Sequence, residues 1–141
     1  ARLQIVGNAP TATVRGYADE ATGIDVVGRI PDIRDAFATS HLLAAPVFSG
    51  KGTRYKILEG LASRTPVVAS SVAVEGLSLN DGEHVMLADE AEEMAKRIVS
   101  LLEDPEQQAV LSEAGYRYVT KHFEWSHIAD TLDSIYQKFS S

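Results

Sequence analysis

The sequence predicts an α/β fold: a doubly wound, mainly parallel sheet flanked by helices, with further helices at the carboxyl end. Three observations carry this. Short apolar runs alternate with stretches of helical periodicity. The runs are largely apolar rather than strictly alternating, as in strands covered by helices on both faces. Glycines and serines follow most of the runs, so the chain turns where open α/β sheets bind ligands, past the carboxyl ends of their strands.

Taken in order, residues 3–6 (LQIV) form a first strand ending at Gly7. Pro10 can start a weakly amphipathic helix reaching about Ala21. Residues 24–27 are a second strand ending at Gly28, and Pro31 and Asp32 open a short helix carrying Ile33, Ala36 and Phe37. A third strand over residues 42–48 (LLAAPVF) runs into a loop broken by Gly50 and Gly52. Thr53 can cap the next helix, whose apolar face is Ile57, Leu58, Leu61 and Ala62. Pro66 closes the turn into a fourth strand over 66–70, residues 72–83 are a loop, and 85–87 are a short fifth strand. Three helical patterns follow. The first carries Ala91, Met94, Ala95, Ile98, Val99 and Leu102 up to Pro105. The second carries Val110, Leu111, Ala114 and Tyr118, and the third Ile128, Leu132, Ile135, Tyr136 and Phe139. With no repeat, low-complexity segment or linker, residues 1–141 read as a single domain. Gly7, Gly28, residues 49–53 and residues 70–76 all follow strand ends and are expected to share one rim.

Composition narrows the function. The 141 residues suffice for one domain with a core, and 45 % are hydrophobic. Thirteen basic residues against 20 acidic ones give a net charge of -7, which argues against nucleic-acid binding by bulk electrostatics. A local basic site at Lys51, Arg54 and Lys56 is compatible with that balance. There is no cysteine, hence no disulfide, thiol nucleophile or thiolate-bound zinc. No apolar run approaches the roughly 20 residues of a membrane span, and the chain opens on a strand-like segment rather than a leader, so a cytoplasmic location is expected.

The chemistry concentrates in residues 46–77. A glycine loop running into a helix N-terminus suits a phosphate, since free N–H groups and the helix dipole both favour an anion there. Arg54 and Lys56 have the wrong sign for that dipole, and a bound diphosphate would explain them. The plainer reading makes the glycines a flexible loop, leaves both cations solvated and pairs Glu59 with Lys56 on one helix face. His41, His84, His122 and His127 lack metal-ligand spacing, and His122 and Trp125 are expected to pack the last helix. Ser70 and Ser71 have no histidine and acid at a spacing that argues a hydrolase. A receiver-type phosphoacceptor needs acids after the first strand, where Gly7, Asn8, Ala9 and Pro10 stand.

The succession LQIVGNAP, IDVVGRIPDI, SHLLAAPVFSGKGTRYKILEGLASRTPVVASSVAVEGL, an acidic helix and HFEWSHIADTLDSIY resembles the carboxyl-terminal domain of a group 1 glycosyltransferase of GT-B fold over nearly the whole chain. The resemblance implies a domain that binds a nucleoside-diphosphate sugar for transfer to an acceptor. It places the base at residues 28–32, by Gly28 and backbone contacts near Ile30. It places the ribose hydroxyls on Glu59, and the diphosphate on the loop Gly50, Lys51, Gly52 and Thr53 and on the N–H groups up to Arg54, Tyr55 and Lys56. An ionised carboxylate can accept both O–H groups of a cis-diol. Many members carry Glu-x7-Glu, and Lys51 stands at the first of those positions. The resemblance further implies retention of configuration, no metal or other cofactor, and a parent enzyme of polysaccharide biosynthesis with a separate amino-terminal acceptor-binding domain; it leaves peripheral membrane association of the parent open. It aligns LQIV with the family's second strand. On that alignment residues 3–6 pair directly with 42–48, or a strand from a partner chain fills the place between them. The expectation is that these 141 residues alone do not catalyse. The alternative is a nucleotide- or phosphate-binding module without catalysis.

Overall fold

The computed structural model of the chain describes residues 1–49 and 54–139, with backbone alone at 127, 128, 130, 131, 138 and 139. Two compact units emerge, Ala1–Ala36 and Phe37–Ser141.

In the first unit, β1 (Leu3–Val6) and β2 (Ile24–Gly28) pair in parallel from Leu3 opposite Ile24, with a register shift between Ile5 and Val6. Arg2 grips Asp25 across the pair, Nη2 lying 2.9 Å from Oδ2 and 3.2 Å from Oδ1. The helix expected from Pro10 to about Ala21 is a single turn, α1 (Ala12–Arg15). Thr11 fixes its start by accepting the Val14 N–H at 3.3 Å, and Gly16 closes it. Between Thr11 and Gly16 only Ala12 and Val14 are apolar, too few to hold a longer amphipathic helix down. None of residues 1–36 is fully buried: Ile5, Val6, Ile24 and Val26 are half-buried, while Leu3 and Val27 are 49 % and 46 % exposed, so β1 and β2 are covered less completely than the apolar runs lead one to expect. α2 (Ile33–Thr39) begins after Asp32, whose carboxylate takes the Arg34 N–H at 2.9 Å.

The second unit is α/β throughout. β3 (Leu43–Ala45), β4 (Val67–Ala69) and β5 (Met86–Leu87) form a parallel sheet in that spatial order. α3 (Tyr55–Ala62) crosses from β3 to β4, and a 3-10 turn (Ser71–Val74) leads on towards β5. α4 (Ala91–Glu103), α5 (Pro105–Phe123) and α6 (Trp125–Phe139) close the chain. β3 stops short of the expected residue 48, at Pro46, which has no N–H for a ladder. Among the described residues each ladder stays within its unit: β1 pairs with β2 and β3 with β4, so the direct pairing of residues 3–6 with 42–48 does not occur.

β4 is the buried centre, covered on both faces. Val67 and Ala69 join Ile57 and Leu61 of α3, Val85 and Val119 in one cluster, while Val68 joins Met94, Leu101 and Leu111 in another. Alternate side chains of a strand point to opposite faces, so β4 splits its residues between two cores. Two glycines permit the closest approaches. A Cβ on Gly60 would lie 2.9 Å from Leu43 Cδ2, and one on Gly115 would lie 2.5 Å from Leu61 Cδ2 and 3.2 Å from the His84 carbonyl oxygen. α3 ends at Ala62, and in the turn beyond it Arg64 is held at φ +55° while the Thr65 N–H returns to the Gly60 carbonyl at 2.9 Å. The Arg64 guanidinium lies 3.7 Å over the Tyr116 ring and pairs with Glu113, tying α3 to α5. α5 starts at Pro105 behind Asp104, which accepts the Gln107 N–H at 2.9 Å.

The last helix departs from expectation. Trp125 is 83 % exposed, and Leu132, Ile135 and Tyr136 are also exposed, so these three members of the apolar stripe read from the sequence are not buried; the side chains of Ile128 and Phe139 lie outside the described ones. Trp125 therefore does not pack that helix. His122 is exposed as well, and its ring lies 4.6 Å from that of Tyr118 on its own helix, α5, so among the described residues its ring contact is not with the last helix; Tyr118 also meets His84 at 4.6 Å.

Candidate functional site

The candidate site forms where β3 and β4 end. Past β4, Ser70 is buried: its N–H donates to the Ala45 carbonyl at 3.2 Å, its hydroxyl donates to the Val47 carbonyl, and its Oγ accepts the Ala73 N–H at 3.3 Å. One serine thus joins the two strand ends and caps the 3-10 turn. Ser70→Ala leaves the Val47 carbonyl without that donor and is expected to cost about 1–2 kcal/mol of stability, read as a lower urea midpoint at unchanged slope. Ser71 anchors the same turn from outside, with N–H and hydroxyl both 2.7 Å from Asp89. The N–H and then the hydroxyl hold the Asp89 carboxyl below its ordinary range. Further on, the Tyr118 hydroxyl donates to the Leu77 carbonyl at 2.5 Å. The His84 Nδ1 accepts the Asn80 N–H at 3.1 Å.

On α3, Arg54 occupies the N-cap position and its side chain makes no capping hydrogen bond. The first-turn N–H groups of an α-helix have no acceptor within it and are left for a ligand or water. Thr53 as cap, and the whole loop Gly50, Lys51, Gly52 and Thr53, lie outside the described residues. The Arg54 side chain is only 13 % exposed, and its Nη2 lies 3.4 Å from Oε2 of Glu75, itself 76 % exposed. Arg54 is thus not solvated. Tyr55, Lys56 and Glu59 are exposed. Among the described residues Glu59 makes no ion pair, so the plain Lys56–Glu59 pairing is not formed.

In the first unit, Gly28 ends β2 at φ +75°, and its carbonyl accepts the Gly7 N–H at 2.9 Å. Ile30 is half-buried. The Arg34 side chain, then its N–H, hold the Asp32 carboxyl at a pKa of about 2. The site residues thus fall into two groups: Gly28, whose carbonyl takes the Gly7 N–H, with Ile30 two residues on; and Arg54, which meets Glu75, with Tyr55, Lys56 and Glu59 following it on α3. Sequence reasoning puts Glu75 in the loop after the fourth strand, which the family resemblance implies lies near the donor, with a plain surface acid as the other reading; it does not pair Glu75 with Arg54. It lies 21 residues from Arg54, a separation no local pattern encodes. The dual role of Ser70 was missed too, although a serine just past a buried strand is a capping signal.

The family profile described as Glycosyl transferases group 1 matches residues 1–104. The chain belongs to the group 1 glycosyltransferases. Curated relatives agree. It is 32 % identical over 110 residues to a D-inositol 3-phosphate glycosyltransferase of Rhodococcus opacus, covering 76 % of this chain and 24 % of that protein. It is 28 % identical over 141 residues to a phosphatidyl-myo-inositol mannosyltransferase of Mycobacterium leprae, covering 96 % of this chain and 37 % of that protein. This group 1 chain therefore spans less than two fifths of the length of either relative. Among solved structures, HepE of Anabaena in complex with UDP superposes with a TM-score of 0.78 at 22 % identity, over 95 % of this chain and 41 % of that one. Sucrose-phosphate synthase of Thermosynechococcus elongatus gives 0.80 at 23 % identity, over 98 % and 38 %. These likenesses show the fold, that of GT-B glycosyltransferases. In this group 1 chain, among the described residues, no helix is long and apolar enough to cross a membrane, and no three His, Cys, Asp or Glu side chains stand together as a metal site.

Proposed function

We propose that this chain is the donor-binding part of a glycosyltransferase that moves a hexosyl group, with retention, from a nucleoside-diphosphate sugar to an acceptor. The observation that carries the reading is α3: a helix start whose N-cap residue, the nearly buried Arg54, supplies no side-chain cap, with an exposed glutamate one turn further on that makes no ion pair among the described residues. Diphosphate and ribose are the two polar parts of a nucleotide that such a pair suits. The Glu59 carboxylate accepts the ribose hydroxyls. The N–H groups opening α3, with Gly50, Lys51, Gly52 and Thr53 ahead of them, face the diphosphate. Residues 28–32 take the base at Gly28 and Ile30. The HepE complex with UDP, in a relative of the same fold, supports the ligand class.

The reaction then runs by positioning and charge. As the bond from sugar to diphosphate breaks, negative charge grows on the leaving phosphate, and the helix N-terminus and Arg54 stabilise that charge most when it is largest. These groups supply what a divalent cation would, so no metal is required. An amino-terminal domain of the parent enzyme, a cytoplasmic protein of polysaccharide biosynthesis, holds the acceptor. One titration and one turnover assay test this. A nucleoside diphosphate is expected to bind at least tenfold more tightly than its nucleoside, with no added metal. The 141-residue chain is expected to release no nucleoside diphosphate from a panel of nucleotide sugars in the presence of acceptors. Equal affinity for nucleoside and diphosphate would reject the phosphate site, and turnover by this chain would reject the division of labour.

A further inference from the structure

Arg54 sits where a cation is disfavoured, at the positive end of a helix dipole, and is largely withdrawn from water. Its described counter-ion is Glu75, at one oxygen and 3.4 Å. That is a poor match for a guanidinium, which pairs best with two oxygens at about 2.7–2.9 Å. The rest of the loop explains why the contact is no better. Ser71 is bound twice by Asp89, Ser70 is tied to the Val47 carbonyl, and Leu77 is held by the Tyr118 hydroxyl. Glu75 lies between these anchors, just before Gly76 at φ +82°. These bonds hold the backbone on both sides of Glu75, whereas the long arginine side chain has several rotatable bonds by which to leave the pair.

We propose that Glu75 is a positioning residue that holds Arg54 beside the start of α3 in place of the donor's diphosphate and yields it when the donor binds. This rests on the donor-binding reading above and adds a competitor to that site. Two phosphate groups offer the paired acceptor oxygens that one carboxylate oxygen at 3.4 Å does not. On product release Glu75 takes the guanidinium back, so the pair favours departure of the nucleoside diphosphate.

The test is calorimetry on the full chain with inorganic pyrophosphate, with uridine, adenosine, guanosine and thymidine diphosphates, and with the matching nucleosides. Glu75→Gln is expected to tighten pyrophosphate and the preferred diphosphate about two- to fivefold and to leave the nucleoside unchanged. Glu75→Asp, which keeps the charge one methylene further back, is expected to fall between. In an Arg54→Ala background Glu75→Gln is expected to lose its effect. Arg54→Lys, which keeps the charge, serves as a second background should Arg54→Ala fail to fold, and there the effect is expected to shrink. If a diphosphate binds and Glu75→Gln leaves its affinity unchanged or weakens it, the competitor role is overturned and the donor reading stands. If none of the four diphosphates binds, both fall together.

Discussion

Gly115→Val is expected to destabilise the second unit by about 1–3 kcal/mol. A Cβ there would already stand 2.5 Å from Leu61 Cδ2 and 3.2 Å from the His84 carbonyl oxygen, and valine adds two methyl groups beyond it. Leu61 is fully buried and shares a core with Ile57, Val67 and Val119, so it has little room to turn away. The gain in helix propensity on replacing glycine, at most about 1 kcal/mol, does not offset that overlap. Thermal unfolding followed by near-ultraviolet circular dichroism checks it, since Tyr118 lies on the same helix among packed rings. An unchanged midpoint would mean that α5 can slide off α3 without loss.

Glu59→Ala is expected to weaken nucleoside-diphosphate binding by about 1.5–3 kcal/mol, the usual worth of a hydrogen bond to a charged acceptor. The fold should not respond, because the side chain is exposed and makes no ion pair among the described residues. That separation makes the experiment clean: circular dichroism stays constant while the calorimetric affinity drops. The matching 2′,3′-dideoxynucleoside diphosphate supplies the second arm. It offers the carboxylate no hydroxyl, so wild type and Glu59→Ala should bind it equally. Unchanged affinity for the ordinary diphosphate would remove Glu59 from the ribose.

What the sequence made legible follows from how local each signal is. The fourth strand reads directly because residues 66–70 pair a proline turn with a wholly apolar run, and β4 is the buried centre of its sheet. α3 reads directly because Ile57 and Leu61 repeat at helical spacing, and both are fully buried. Glu59 was legible as a candidate through its place in a longer motif, yet its freedom from Lys56 needed coordinates. The contact between Arg54 and Glu75 was not legible, since it depends on where a 3-10 turn directs the chain. Apolar periodicity misled at α6, where Leu132, Ile135 and Tyr136 repeat as a buried face would but are exposed. Periodicity states that a helix has an apolar side and does not name what covers it. The same limit applies to β1 and β2, whose apolar composition announced burial that the described chain supplies only in part.

That last feature changes what stability means for this protein. A segment of 36 residues without one fully buried residue is expected to open at a lower free energy than a sheet whose central strand is wholly enclosed. Amides in β1 and β2 should exchange with solvent through a low-energy partial opening, while those of β4 wait for global unfolding. The expected result is a hierarchy of unfolding free energies rather than one value. A nucleobase held at Gly28 and Ile30 would act on that hierarchy from its lower end, raising the protection of β1 and β2 while leaving that of β4 as it was.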